Sequence, residues 1–231
     1  IAQYVADLLA GASVPVSVIP NSLELSYCTE VKTYTADGDV RGLVYLGRIE
    51  KVKGVLELLH AHRKVQQRFP DATLTVVGGN YSQGPLSEYE REVLDCATSN
   101  GLNVRFIGQV PNKKTAEILL EADIAVFPSI WLESFGMVAL EAMRCGLPVI
   151  ASRRPGFEEL VVHGETGILV DDPEDIGALA DAIIELLCCP EKANRMGKAG
   201  HIRSLEFAPE KASVRFKQVI LDQLSRGAPS E

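Results

Sequence analysis

Short apolar runs recur along this chain, at residues 42–47, 73–78, 104–108, 124–128, 148–152 and 167–171, each closed by Gly, Pro, Ser or Asp. Between them lie stretches of helical period, at 53–68, 86–98, 113–121 and 136–145. In the first of these, Val55, Leu58, Leu59, His62 and Val65 fall on one side. Strands that read as unbroken apolar runs must be buried on both faces, and helices between them supply the cover. The alternation therefore predicts a parallel sheet, wound right-handedly with helices on both faces. That is a Rossmann-like α/β domain.

The two ends leave this rhythm. Residues 1–9 read as a helix, 14–19 as a strand, and the polar, turn-rich stretch 22–39 as a linker. At the other end, 173–187, 190–205 and 209–224 each open with Pro, which presets the first helical turn at no hydrogen-bond cost. Three trailing helices are expected.

Composition narrows the classes. With 231 residues, 46% hydrophobic and 23% charged, the chain suits one sizeable α/β domain or two small ones. Its apolar runs fall short of the roughly 18 residues a spanning helix needs, so no membrane span is expected. A net charge of −8 argues against nucleic acid, which recruits Lys and Arg in excess. The start at Ile1, without a signal-peptide pattern, reads as a fragment. Cys28, Cys96, Cys145, Cys188 and Cys189 form no C-x-x-C pair and suit reduced thiols in a cytosolic compartment. Cys188 and Cys189, adjacent in a helix, would diverge by about 100° and are read as packing residues. His60, His62, His163 and His201 match no ligand spacing and are expected on surfaces or helix faces. Asp37-Gly38-Asp39 spells a cation-binding D-x-D but sits in the polar linker, where Asp-Gly is an ordinary turn. Asn80-Tyr81-Ser82 is a formal glycosylation sequon without a secretory signal.

The chemistry concentrates after the fourth apolar run. Trp131-Leu-Glu-Ser-Phe-Gly-Met-Val-Ala-Leu-Glu141 sets Glu133 before a helix start and Glu141 eight residues later, with Gly136 at the turn. The N–H groups of Phe135, Gly136 and Met137 are expected to point outward at that helix N-terminus, where phosphate is favoured. Glu133 would face the ligand from the entry loop, and Glu141 would reach sideways to a diol.

This Glu-x7-Glu element, with Gly146-Leu-Pro-Val-Ile-Ala-Ser152 after it, resembles the donor half of the retaining GT-B glycosyltransferases of group 1. The resemblance runs from about Val18 to Val170 through separate blocks in family order. It implies that Glu133 binds hydroxyls of the donor sugar and Glu141 the nucleotide ribose, with Ser134, Phe135, Gly136, Met137 and Val138 lining the donor site. Gly47-Arg48-Ile49-Glu50-Lys51-Val52-Lys53-Gly54 resembles the family's donor loop, whose Arg and Lys hold the diphosphate. A departing diphosphate gathers charge that a guanidinium and an ammonium stabilise without proton transfer. Alone, the same residues would read as a solvated basic turn. Gly78 resembles the glycine that lets backbone approach the nucleotide, and equally fits an ordinary strand-to-helix turn. Gly108 and Val110, in Phe106-Ile107-Gly108-Gln109-Val110, resemble the base cradle. Asp123 reads as a helix-end or packing residue and Glu159 as structural. Arg153-Arg154-Pro155-Gly156 departs from the family's Gly-Gly, so the loop above the sugar is expected to be shaped differently.

The resemblance thus implies a metal-independent, cofactor-free retaining enzyme that moves a hexose from a nucleotide-diphosphate sugar to an acceptor hydroxyl. Residues 1–20 would belong to an N-terminal acceptor domain, 21–40 to an interdomain linker, 41–205 to the nucleotide-sugar domain and 206–231 to a C-terminal helix and tail. The acceptor, a sugar or a lipid-linked glycan, would be held by the N-terminal domain. The place would be the cytoplasm, or the periphery of the inner membrane face. Three other readings stand beside it. They are a GT-B sugar-nucleotide epimerase, separated by product analysis with and without acceptor; a phosphorylase-like enzyme, which needs a pyridoxal-phosphate lysine; and a non-catalytic sugar-nucleotide-binding module.

Overall fold

The computed structural model describes residues 17–34, 40–81 and 84–226. Its strands are β1 Gly42–Leu46, β2 Thr73–Val77, β3 Val104–Gly108, β4 Ile124–Phe127, β5 Val149–Ser152 and β6 Gly167–Val170. They pair in parallel in one sheet of order β3-β2-β1-β4-β5-β6. Each lies within a predicted apolar run; Gly47, Gly78 and Pro128 fall just outside, because they turn the chain away from the ladder. The helices are α1 Val55–Arg68, α2 Glu88–Ser99, α3 Asn112–Glu121, α4 Met137–Arg144, α5 Pro155–Leu160, α6 Ile176–Cys188, α7 Pro190–Ser204 and α8 Pro209–Arg226.

Alternation along β1 sorts the core into two layers. Leu43 and Tyr45 join Leu58, Leu59, Val65 and Ile183 of α1 and α6 on one face. Val44 joins Leu119, Leu140, Met143 and Phe157 of α3, α4 and α5 on the other. β4, β5 and β6 are buried at every residue, as a strand covered on both faces requires. Each fully buried Leu, Ile or Phe contributes about 1.5–3 kcal/mol of transfer free energy.

His62 takes the helix-face alternative, on the apolar side of α1: it is fully buried, its Nε2 lies 3.3 Å from the Asn103 carbonyl, and burial lowers its pKa to about 4. Two expectations need correcting. Cys188 and Cys189 do not pack inside; both are exposed, and Cys189 lies in the break between α6 and α7. Pro155 and Gly156 are not loop residues but the first turn of α5. Proline at N1 gives up an N–H that has no helical partner there.

The polar stretch ahead of β1 lies against the domain. Leu23 N–H donates to the Phe207 carbonyl at 2.9 Å, and Lys32 N–H to the Cys145 carbonyl at 2.8 Å. Asp123, at the start of β4, gathers this segment. Its Oδ2 accepts the backbone N–H groups of Arg41 (2.9 Å) and Gly42 (2.8 Å), its Oδ1 lies 3.0 Å from Lys32 Nζ, and its carbonyl accepts Tyr34 O–H. This is the structural role read from the sequence. The boundary at 205/206 falls inside a 3-10 turn, Leu205–Phe207, which leads into α8. Along α8, Val214, Phe216, Ile220 and Leu221 stand exposed. No helix among the described residues is long and apolar enough to cross a membrane. The helix expected at 1–9, half of the strand expected at 14–19, Asp37-Gly38-Asp39 and Ser82 lie outside the described residues, and the described half, 17–19, forms no strand.

Asp123→Ala strands two backbone donors and an ammonium, so it is expected to cost about 2–4 kcal/mol in urea unfolding. Asp71→Ala, which removes an exposed partner of Arg41, is expected to stay within about 0.5 kcal/mol. Equal losses would deny Asp123 its tying role.

Candidate functional site

The strand order reverses at β1, whose neighbours are β2 and β4. The loops leaving β1 and β4 therefore part to opposite faces and open a crevice beyond their C-terminal ends. Two adjoining cavities occupy it. One, of about 260 Å³, is lined by Gly47, Arg48, Lys53, Ser129, Glu133 and the Ser134 to Val138 segment, with Tyr45 and Phe157 among the walls. The other, of about 350 Å³, is lined by Gly78, Gly79, Gln109, Val110, Asn112, Thr115 and Glu141. Leu46, Gly47, Arg48 and Val138 belong to both. Of the residues assigned to the donor site from the sequence, only Gly108 lines neither cavity; its carbonyl accepts the Gly78 N–H at 2.8 Å and so shapes the β2 end from behind.

The loop after β1 is bent so that it meets the loop after β4. Tyr45 O–H donates to the Arg48 carbonyl at 2.7 Å, and a 3-10 turn over Lys51–Lys53 ends at Gly54. Gly54 has φ 70°, and a Cβ there would stand 2.0 Å from the Pro128 carbonyl oxygen. Only glycine allows that approach. The Val52 carbonyl then accepts the N–H groups of Ile130 (2.9 Å) and Trp131 (3.3 Å). This docking brings Lys53 Nζ to 2.6 Å from Glu133 Oε2, and Ser129 Oγ donates to the same oxygen at 3.3 Å. The two side chains retain 20% and 13% of their exposure, so little water screens the pair. Arg48 lies at the opening, 70% exposed, and reaches Glu50 at 2.6 Å.

The Glu133 loop is held from the far side by residues the sequence reading did not assign. Arg154 donates twice to the Ile130 carbonyl, at 3.0 and 2.8 Å, and Gly156 N–H donates to the Glu133 carbonyl at 3.1 Å. The segment Arg153 to Gly156, expected as a loop, instead leads into α5 and braces the Glu133 loop; Arg153 turns away to Asp171 and Glu158. The signal that could have shown this was Pro155 itself, a helix-opening residue. Gly136, at φ 85°, caps α4 over the Phe157 ring, where a Cβ would stand 2.6 Å from the ring edge. No side chain caps α4, so its first N–H groups form a positive end at the cavity wall, suited to an anion.

Glu141 belongs to the second cavity. Tyr27 O–H approaches its Oε2 at 3.4 Å and lies 2.6 Å from Thr115 Oγ1. Burial raises the Glu141 pKa to about 7, with the Tyr27 hydroxyl pulling partly the other way. Burial, with the Glu141 charge adding to it, pushes the Tyr27 phenol far up, so it stays a donor. Tyr27 and Thr115 carried no local signal, because they meet Glu141 only across the fold. Among the described residues, no group of three or more His, Cys, Asp or Glu is placed to hold a metal ion.

The chain matches the family described as Glycosyl transferases group 1 over residues 29–203. It is 29% identical over 215 residues to the lipopolysaccharide 1,2-N-acetylglucosaminetransferase of Salmonella typhimurium, covering 88% of this chain and 55% of that protein. The chain thus spans about half the length of the curated relatives it matches, or less. The sucrose-phosphate synthase structure from Thermosynechococcus elongatus superposes with a TM-score of 0.82 at 29% identity, over 98% of this chain and 58% of that one. The C-terminal domain of the group 1 protein LpcC from Francisella tularensis superposes at 0.68 and 23% identity, over 81% of this chain and 99% of that one. The fold is therefore that of the C-terminal half of a GT-B protein.

The raised Glu141 pKa has a consequence for stability. Its folded value, about 7, lies above the ordinary 4.5, so between these the unfolded chain releases a proton that the folded chain keeps. Stability contributed by the neutral carboxyl is full below about pH 4.5 and is lost as pH rises to about 7. Glu141→Gln is expected to melt progressively higher than wild type across that window and by a constant margin above it. A margin independent of pH, measured by thermal melts, would exclude the shift.

Proposed function

The chain belongs to the group 1 glycosyl transferases, and on that premise we propose that it is the donor-binding domain of a retaining, metal-independent hexosyltransferase. Its donor is a nucleotide-diphosphate sugar, and the sugar passes to an acceptor hydroxyl held by the part of the protein that the relatives' extra length represents. The observation that carries this reading is the Lys53–Glu133 pair at 2.6 Å, in a crevice beside the uncapped end of α4.

The pair sets a cation and an acceptor of hydrogen bonds side by side. A sugar diphosphate offers the complement, anionic oxygens joined to a hydroxyl-rich ring. Lys53, Arg48 and the α4 N–H groups take the diphosphate; Glu133 accepts from the sugar hydroxyls; Glu141 accepts from the ribose, with Gly78 and Val110 beside the nucleoside. When the bond between anomeric carbon and phosphate oxygen breaks, its electron pair stays on the diphosphate. Fixed cations and dipoles stabilise that growing charge more than they stabilise the ground state, which lowers the barrier. The acceptor oxygen then bonds to the anomeric carbon on the same face, and its proton passes to the departing phosphate. Glu133 is already bound to Lys53 and Ser129, which supports a positioning role rather than that of a nucleophile.

Two measurements test the reading. UDP, GDP or ADP is expected to raise the melting temperature of the chain in the presence of EDTA, by mass action on the folded state. No shift with any of them at millimolar levels overturns the donor-domain reading, and a shift only with added Mn²⁺ overturns its metal independence. In the full-length enzyme, Arg48→Ala and Lys53→Ala are each expected to lose about 10²-fold or more in kcat/KM. Glu133→Gln is expected to depress transfer more than nucleotide affinity. Lys51→Ala, an exposed neighbour, serves as the near-neutral control, and equal small effects from all four would reduce the loop to a charged surface turn.

A further inference from the structure

Asn112 carbonyl, Thr115 Oγ1, Tyr27 Oη and Glu141 Oε2 follow one another at 2.6, 2.6 and 3.4 Å. Three contacts in a row need three protons, and the two hydroxyls bring only two. With a neutral Glu141 the row closes, running from the carboxyl through Tyr27 and Thr115 to the Asn112 carbonyl. With an ionised Glu141 it must reverse, Thr115 donating to Tyr27 and Tyr27 to the carboxylate, and the Asn112 carbonyl loses its hydroxyl donor. The charge state of Glu141 and the direction of this row are therefore one variable.

Resting on the donor-domain reading, we infer that Tyr27, from the segment ahead of β1, is a positioning residue for the nucleoside subsite. Its hydroxyl, backed by Thr115, turns to hold one oxygen of ionised Glu141 and leaves the other for the ribose diol. The placement supports this. Asn112, Thr115 and Glu141 line the nucleoside cavity together, and Tyr27 closes the row from outside it. Across the cavity the facing charge is Arg48, and on α4's own end the nearest titratable group is the Cys145 thiol, which burial pushes up and keeps neutral. Tyr27 is thus the donor through which the preceding segment reaches the nucleotide site.

The test is calorimetric titration of the chain with UDP, GDP and ADP at about pH 6 and about pH 9. Loss of the phenol hydroxyl takes away a group that favours the carboxylate. Tyr27→Phe is expected to raise the Glu141 pKa further, which lowers the ionised fraction at pH 6 and leaves it nearly complete at pH 9. Tyr27→Phe is therefore expected to weaken the bound nucleotide about tenfold at pH 6 and by less than about twofold at pH 9. The 2′,3′-dideoxy counterpart, which lacks the diol, is expected to bind wild type and variant alike. Thr115→Val, which removes only the backing hydroxyl, is expected to move the profile in the same direction and keeps the test open should Tyr27→Phe fold poorly. A loss equal at both pH values, a loss shared by the dideoxy analogue, or no loss overturns the inference. Absence of binding by wild type to all three nucleotides overturns the donor-domain reading instead.

Discussion

The pairing of β1 with β4 is the constraint from which the rest of the site follows. Chain order runs outward from β1 in both directions, so the connections after β1 and β4 cannot cover the same ground. A gap between them is unavoidable, and whatever stands on the two loops faces across it. Lys53 comes from one loop and Glu133 from the other. Eighty positions apart in the chain, they become neighbours because β1 and β4 are neighbours. The extra carbonyl at Val52 and the missing side chain at Gly54 set how close the loops come.

Much of this was legible because it is local. Apolar runs closed by Gly, Pro, Ser or Asp marked all six strands, and Glu133, Gly136 and Glu141 could be set around a helix start from spacing alone. What was missed lies mostly in partners distant along the chain. Cys188 and Cys189 are the local exception: they read as neighbours within one helix, yet the helix ends at Cys188 and both side chains are exposed. His62 followed the apolar side of α1 correctly, but its full burial depends on what covers that side, including the Asn103 carbonyl beyond β2. Arg154 reads from the sequence as part of a loop above the sugar; its partner, the Ile130 carbonyl, lies on another loop. Tyr27 had no signal at all, since a tyrosine in a polar stretch gives no hint of a carboxyl on α4.

The charged groups of the crevice are paired with one another. Lys53 is engaged by Glu133, Arg48 by Glu50, and Glu141 by a phenol. A ligand therefore exchanges bonds rather than adding them, and the exchange is favourable only if every displaced partner is satisfied in turn. Inorganic phosphate could claim Lys53, but it would leave the largely enclosed Glu133 carboxylate with the Ser129 hydroxyl as its remaining donor, a costly state. A molecule that brings hydroxyls with its phosphates meets both demands. On the proposed donor-domain reading, this pairing would favour a whole sugar nucleotide over its fragments.

The loop that carries Glu133 also carries Trp131, the chain's one tryptophan, with 68% of its surface open to solvent. Its N–H is bonded to Val52, one residue from Lys53. The single strong fluorophore of the chain therefore sits at the rim of the crevice, outside the core and on the backbone that joins its two walls. Its emission reads the local dielectric of that rim and is largely blind to the packed interior, which makes indole fluorescence an optical gauge of crevice occupancy separate from global unfolding.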